Sequence, residues 1–175
     1  MTGRLNEFRH AMETAFQAAM PDLRECAAQL GDLAPQLLDI SSISTPALRC
    51  AVLSAPLEAR SDDTSTAQLA CAAYAICSGS TRDDDAWAIA EAVAALLRRN
   101  QRFGLADIGA PEQIVVSPSQ PSELSGLDVA IVATQWTQSL NGIGASMFDS
   151  EPTIDLSFAL NGEDLILSDD EGAAA

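Results

Sequence analysis

The sequence contains no lysine, and its nine basic residues, all arginine, are set against 25 aspartates and glutamates. The formal net charge is −16 at pH 7. Because nucleic-acid binding depends on Lys and Arg clusters that displace counterions from phosphates, this charge repels DNA and RNA. The one basic cluster, Arg98, Arg99 and Arg102, falls where a helix should end, so helix-dipole complementation explains it better than a phosphate site. We expect no sequence-specific contact with nucleic acid.

Cysteine and long apolar runs are also scarce. The four cysteines are Cys26, Cys50, Cys71 and Cys77, whose spacing matches neither a zinc ribbon nor a CxxC redox pair. Buried, reduced thiols are the favoured interpretation. No run approaches the about 18 apolar residues that cross a bilayer, and charged residues interrupt the N-terminal segment. These features predict synthesis and folding in the cytoplasm, without a membrane partner.

Only one histidine, His10, is available as a general base. It lies on a predicted helix between Glu7 and Glu13, away from the apolar stripe, which is typical of a solvated side chain. No nucleophile motif stands beside it. A small hydrolase in which a cysteine works with His10 is nevertheless one alternative, which His10→Ala would test.

No glycine or acidic motif predicts a cofactor or metal site. Gly142 and Gly144 echo a nucleotide-binding pattern, but no βαβ crossover follows them, and a loop between Gln138 and Glu151 explains them. The pair Asp62 and Asp63 is typical of a turn, and the run 83–85 of a helix start. Neither has the alternating ligands of a calcium loop. We predict no catalytic residue, cofactor or metal.

Hydrophobic periodicity divides the chain into regular elements. In order they are a helix, a weaker helix, two strands, a helix and two further strands, at 3–19, 22–30, 47–55, 66–77, 81–99, 113–117 and 127–138. Short connections favour antiparallel pairing of 47–55 with 66–77 and of 113–117 with 127–138. In the helix 81–99, Trp87, Ala90, Ala94 and Leu97 form an apolar stripe toward the sheet.

The C-terminal region carries a hairpin signal, because Asn161 and Gly162 separate two alternating runs. A two-residue turn sets the register of the predicted hairpin, and this register places the large apolar residues on one face. They are Ile154, Leu156, Phe158, Leu160, Leu165 and Leu167. An exposed face of this size must cover its own sheet, a neighbouring subunit or a partner, so these six residues are the candidate interface. The predicted organisation is an α/β domain at 1–150, a hairpin extension at 151–168 and an acidic flexible tail at 169–175.

These elements predict an α+β fold: an antiparallel or mixed sheet of about four strands, with helices packed on it and a C-terminal β-hairpin arm. From Pro46 to Gln138 the pattern resembles the tail terminator proteins of Mu-like phages. The resemblance rests on the two strands 47–55 and 69–77, the helix DDDAWAIAEAVAALLRRN, and the strands EQIVVS and LDVAIVATQWTQ. It covers about half of the chain.

The resemblance implies a structural role without enzyme activity. Such proteins form a homo-hexameric ring on the tail tube, stop its growth and join it to the head. The implied partners are the tail tube protein and a head-tail connector or head completion protein. The implied location is the host bacterial cytoplasm during assembly and the tail-head junction of the virion. Six copies at −16 each would carry −96, so DNA would pass through the ring without being gripped.

Two other protein classes fit the same composition. An acidic secretion-chaperone-like module would cover an unfolded segment of a client and would form a dimer rather than a six-membered ring. The second alternative class is another protein of the head-tail neck. Stoichiometry separates the chaperone from the terminator.

Overall fold

The computed structural model describes residues 3–33, 42–61, 64–119 and 128–144. The helices there are α1 (Arg4–Ala19) and α2 (Arg82–Arg98). The strands are β1 (Glu25–Leu30), β2 (Ala47–Ser54), β3 (Leu57–Ala59), β4 (Ser65–Ser78), β5 (Glu112–Pro118) and β6 (Val129–Ile143). The predicted hairpin at 151–168, the tail at 169–175 and the acidic pair 62–63 lie outside the described residues.

The sheet is mixed, with the strand order β1-β2-β4-β6-β5 and the short β3 beside β4. β1 is parallel to β2, and all other pairs are antiparallel. The α+β class and the two antiparallel pairings predicted from short connections are confirmed. The estimate of about four strands is wrong, because the described residues form six strands. The two additional strands are β1 and β3.

β1 replaces the weaker helix predicted for 22–30. Pairing with β2 decides the conformation, since Glu25 to Leu30 align one by one with Ala47 to Val52. A side chain of α1 also helps to satisfy the outer edge, because Arg9 Nη2 donates to the Gln29 carbonyl at 3.4 Å. Because the six residues of β1 have only a weak preference for helix or strand, contacts with the rest of the fold decide their conformation.

Both helices pack on the same face of the sheet. α1 buries Phe8, Met12 and Phe16, and α2 buries a row of small and aliphatic residues, Ala86, Ala90, Val93 and Leu97. These rows meet the side chains of β2, β4 and β6 in one core. The prediction that Trp87 faces the sheet is wrong. The row through Ala86 and Ala90 faces the sheet, and Trp87 lies one residue round the helix from it.

An aromatic cluster joins α1 to the centre of the sheet. Phe103 meets Phe8 edge-on, with ring centroids 5.5 Å apart, and Phe16 at 5.6 Å. Phe16 also meets Trp136 of β6 at 6.3 Å. Perpendicular contacts of this kind fit the ring quadrupoles and add to the free energy of burial. Phe103, on the connection after α2, therefore fixes that connection to α1.

A buried glutamine ties the same connection to β6. Gln138 is 1% exposed, and its Nε2 donates to the carbonyls of Gln101, at 3.1 Å, and Gly109, at 2.8 Å. Its Oε1 accepts from Trp136 Nε1 at 3.2 Å. All three hydrogen-bonding positions that this amide presents to its neighbours are thus used, as burial requires.

The opposite face of the sheet carries a second apolar cluster. Small residues of three strands form it with Tyr74 and Ile76, and Leu33 and Ile43 pack there from the segment between β1 and β2. β6 also runs further than predicted. It ends at Ile143 rather than at residue 138, with Gly142 inside it at a φ of 71°. A backbone angle of this kind favours glycine, so the two glycines serve the strand end rather than a loop alone.

Candidate interaction surface

A cleft runs between the outer side of α2 and the edge strand β5. Its volume is about 790 Å³, and we call it the α2–β5 cleft. Helix residues supply one wall and two β5 residues supply the other; the lining residues are Asp84, Trp87, Ala88, Glu91, Ala94, Ala95, Arg98, Ile114 and Val116. Each helix residue in this set lies three or four positions from the next, or directly beside it, so they share one side of α2.

Trp87 is the largest side chain of this cleft, and it is 46% exposed. Ala88 stands beside it, and two carboxylate side chains, Asp84 and Glu91, lie about one turn away on either side along the helix. Tryptophan in contact with water at a concave surface is typical of a binding hot spot, because a large apolar area gains most from being covered.

The β5 edge itself is poorly suited to pairing with a further strand. Its register against β6 shifts between Glu112 and Val115, and Gln113 in that bulge has a φ of 52°. Pro118 at its other end has no N–H to donate. Bulges and prolines are the usual devices that protect sheet edges from pairing. A partner at this edge would therefore be held mainly by side chains.

Three arginines stand where α2 ends. Arg98 is the last helical residue and lines the cleft, Arg99 follows it, and Arg102 is exposed on the connection. None of the three forms an ion pair within the part of the chain that the structure describes, whereas Arg49, for example, pairs with Glu25. The predicted complement to the helix dipole fits Arg98.

The opposite edge of the sheet is different in character. β1 is a parallel edge strand whose last residue, Leu30, is 85% exposed. On the β5 side, Val115 is 54% exposed and points to the face away from the helices, because it pairs with Gln135 rather than with the buried Thr134. The molecule thus has two unlike edges, each with a large apolar side chain in water.

The cysteines are free thiols. Burial raises the pKa of Cys71 to about 12 and that of Cys77 to about 11. The pKa of Cys50 is raised well above its usual value, mainly because its thiol hydrogen-bonds to Cys26. That same contact lowers the pKa of Cys26, whose Sγ in turn lies 3.6 Å from the Glu13 carbonyl. The three buried thiols are therefore protonated, and unreactive, at neutral pH.

We expect alkylation near neutral pH to modify Cys26 before the other three cysteines. Cys26 is the partly exposed member of the four, and the thiolate is the reactive form. Iodoacetamide labelling followed by peptide mass spectrometry would show the order, with labelling in denaturant as the control. Labelling of Cys71 at the same rate as Cys26 would contradict it.

The other residues singled out by the sequence do not come together. The side chain of His10 is 65% exposed and lies 3.7 Å from Glu13, and no hydrogen bond joins it to a cysteine among the described residues. Asp83, Asp84 and Asp85 occupy the first turn of α2, as predicted. Over the described ranges, no group of three His, Cys, Asp or Glu residues could hold a metal ion.

The predicted interface of Ile154, Leu156, Phe158, Leu160, Leu165 and Leu167 falls outside the described residues. The α2–β5 cleft was not predicted, since periodicity assigned Trp87 to the core. Its one sequence signal is a lone tryptophan next to alanines and acids.

No helix in the described part of the chain has the length and apolarity needed to cross a membrane. No protein-family model matches the chain, and no curated protein matches it either.

Proposed function

We propose that this chain is a structural virion assembly protein that caps a phage tail tube. Copies of the chain form a six-membered ring on the tube end, stop its polymerisation and join tail to head. The proposal starts from the resemblance of residues 46–138 to tail terminators of Mu-like phages. The structural observation that supports it most is that the two edges of the sheet differ from each other.

Ring closure needs two different surfaces on every copy. A two-fold dimer places the same patch against itself, whereas a ring joins one surface of each copy to another surface of the next. β1 with Leu30 and the β5 side with the α2–β5 cleft are two such surfaces. Their difference favours head-to-tail contacts over the like-with-like pairing of a chaperone-type dimer.

The charge of the chain agrees with this role. A ring of copies at −16 each repels the phosphate backbone, so DNA passes through its channel rather than binding there. The partners in this proposal are other copies, the tail tube protein and a head-tail connector or head completion protein. The proposal assigns no enzymatic step, cofactor or metal to the chain.

Electron microscopy of the full-length protein mixed with tail tubes of the phage that encodes it tests the proposal. We expect a ring with six-fold symmetry on one end of each tube, and tubes of uniform length when the protein is present during polymerisation. His10→Ala, a change at an exposed helix residue, is the matched control and should cap tubes normally. A stable dimer that leaves tube ends bare would contradict the proposal and favour the chaperone.

Removal of residues 151–175 is expected to abolish or strongly weaken ring formation, because the six apolar residues of the predicted hairpin then no longer bridge copies. Native mass spectrometry at matched protein concentration would measure the loss of six-membered assemblies. If the shortened chain assembles normally and is only less stable to urea, the hairpin serves its own subunit.

A further inference from the structure

We infer that a groove between α1 and α2 receives Arg99 and Arg102 of a neighbouring copy of this chain. The groove lies where α1 ends and α2 begins, has a volume of about 440 Å³, and is called here the α1–α2 groove. Arg99 and Arg102, which we call the arginine end, follow the last turn of α2. The inference rests on the proposed ring and names a contact that would hold one copy to the next.

The α1–α2 groove combines apolar side chains with negative charge. Met20, Leu23 and Ile89 supply its larger apolar side chains, and the charged residues among its described lining, Asp22 and Asp85, are both acids. Arg24, two residues after Asp22, is not part of that lining. A side chain that suits this groove therefore has an apolar stem and a positively charged end, which is the structure of arginine.

Both acids of the groove have oxygens that can accept further hydrogen bonds. Asp22 is exposed and forms no ion pair within the described ranges. Asp85 accepts one hydrogen bond, from Thr81 Oγ1 to its Oδ2 at 2.7 Å. Since an ionised carboxylate offers about four acceptor positions, each acid can also accept from a guanidinium group. Hydrogen bonds between such charged partners are stronger than those between neutral groups.

The arginine end cannot fill the groove of its own copy. Asp85 and Arg99 are separated along α2 by about 20 Å, which is far beyond the reach of an arginine side chain. Arg99 and Arg102 are exposed, form no ion pair in the part of the chain that the structure describes, and do not line the α2–β5 cleft with its acids. They are therefore available to the acids of another copy.

The two surfaces lie on different sides of the molecule, as a ring requires. Leu23 and Pro46, which line the groove, directly precede the regions where β1 and β2 begin, whereas the arginine end lies on the connection that leads to β5. The contact would thus join the β5 side of one copy to the β1 side of the next, head to tail. Between copies that repel each other at −16, such local pairs of opposite charge offset part of the repulsion.

The test uses two full-length variants, each of which removes one side of the contact. The groove variant carries Asp22→Arg, and the arginine variant carries Arg99→Glu with Arg102→Glu. Association is measured by sedimentation velocity at low salt over a range of protein concentrations. We expect each variant alone to associate roughly tenfold or more weakly than the unmodified chain, because every contact then sets like charges against each other.

An equal mixture of the two variants is expected to form a species of two copies and no larger assembly. The groove variant keeps its arginine end and the arginine variant keeps its groove, so one contact between them remains intact and no ring can close. Formation of this species also shows that both variants are folded. Glu58→Arg, the same change of charge as Asp22→Arg at an exposed residue of β3, should associate like the unmodified chain.

A mixture that associates no better than either variant alone would overturn the inference. So would variants that each form six-membered rings on tail tubes as completely as the unmodified chain, and that result would leave the proposed function intact. Conversely, a two-copy species in the mixture, without any ring of the unmodified chain on tail tubes, would support the contact and contradict the proposed function.

Discussion

Replacing Trp136 with alanine is expected to lower the free energy of unfolding by about 3–5 kcal/mol. Trp136 is 2% exposed at the centre of β6, where its ring meets Phe16 edge-on and its Nε1 donates to Gln138. Alanine would leave a cavity beneath α1 and would also free the Gln138 oxygen. Urea denaturation followed by circular dichroism would measure the change.

The other tryptophan supplies a matched control. Trp87 is 46% exposed on α2 and is not part of the buried core cluster, so Trp87→Ala removes the same side chain from a position where almost half of it contacts water. We expect it to change the free energy of unfolding by less than about 1 kcal/mol, because surface changes without core contacts are small. Equal losses for the two variants would mean that Trp87 belongs to the core.

The second large effect is expected at Gln138, whose replacement by alanine should cost about 3 kcal/mol or more. The change strands two backbone carbonyls, those of Gln101 and Gly109, together with the indole N–H of Trp136. Each buried group left without a partner costs free energy, so the loss exceeds that of a single hydrogen bond. Thermal and urea unfolding would measure it.

Gln138→Glu distinguishes hydrogen bonding from packing. A carboxylate keeps the shape of the amide but cannot donate to the two carbonyls, so we expect it to be destabilised at neutral pH as strongly as the alanine variant. Gln135→Ala, at an exposed position of the same strand, should be nearly neutral. A stable Gln138→Glu variant would show that the network contributes little.

Strong local patterns were enough to predict much of this fold. The stripe of α1, the acidic start and basic end of α2, and the apolar runs of β2 and β4 each depend on residues close together in the sequence. β1 could not be predicted in this way. Its sequence, ECAAQL, suits a helix about as well as a strand, and a parallel partner in β2, some 20 residues later, decides between them.

The α2–β5 cleft depends on a detail finer than periodicity. A shift of one position around α2 separates buried Ala86 from exposed Trp87, and only the position of the helix over the sheet fixes which residue faces inward. β5 likewise lies at an edge only because of the strand order, in which β6 lies between β4 and β5 although it follows both in the chain. Fold class was therefore accessible from the sequence, and the cleft was not.

The pairing of the two longest strands has a consequence for how the molecule folds. Ser78 at the end of β4 meets Val129 at the start of β6, so α2, β5 and their connections must all be enclosed before this ladder forms. Closing so long a loop costs chain entropy before any contact repays it, which slows folding. During synthesis, β2 and β3 can pair with β4 at once, but its other neighbour, β6, follows only after α2 and β5 have been made. Until then the side of β4 that later pairs with β6 has no strand neighbour, so partly folded chains expose an unpaired sheet edge that favours aggregation.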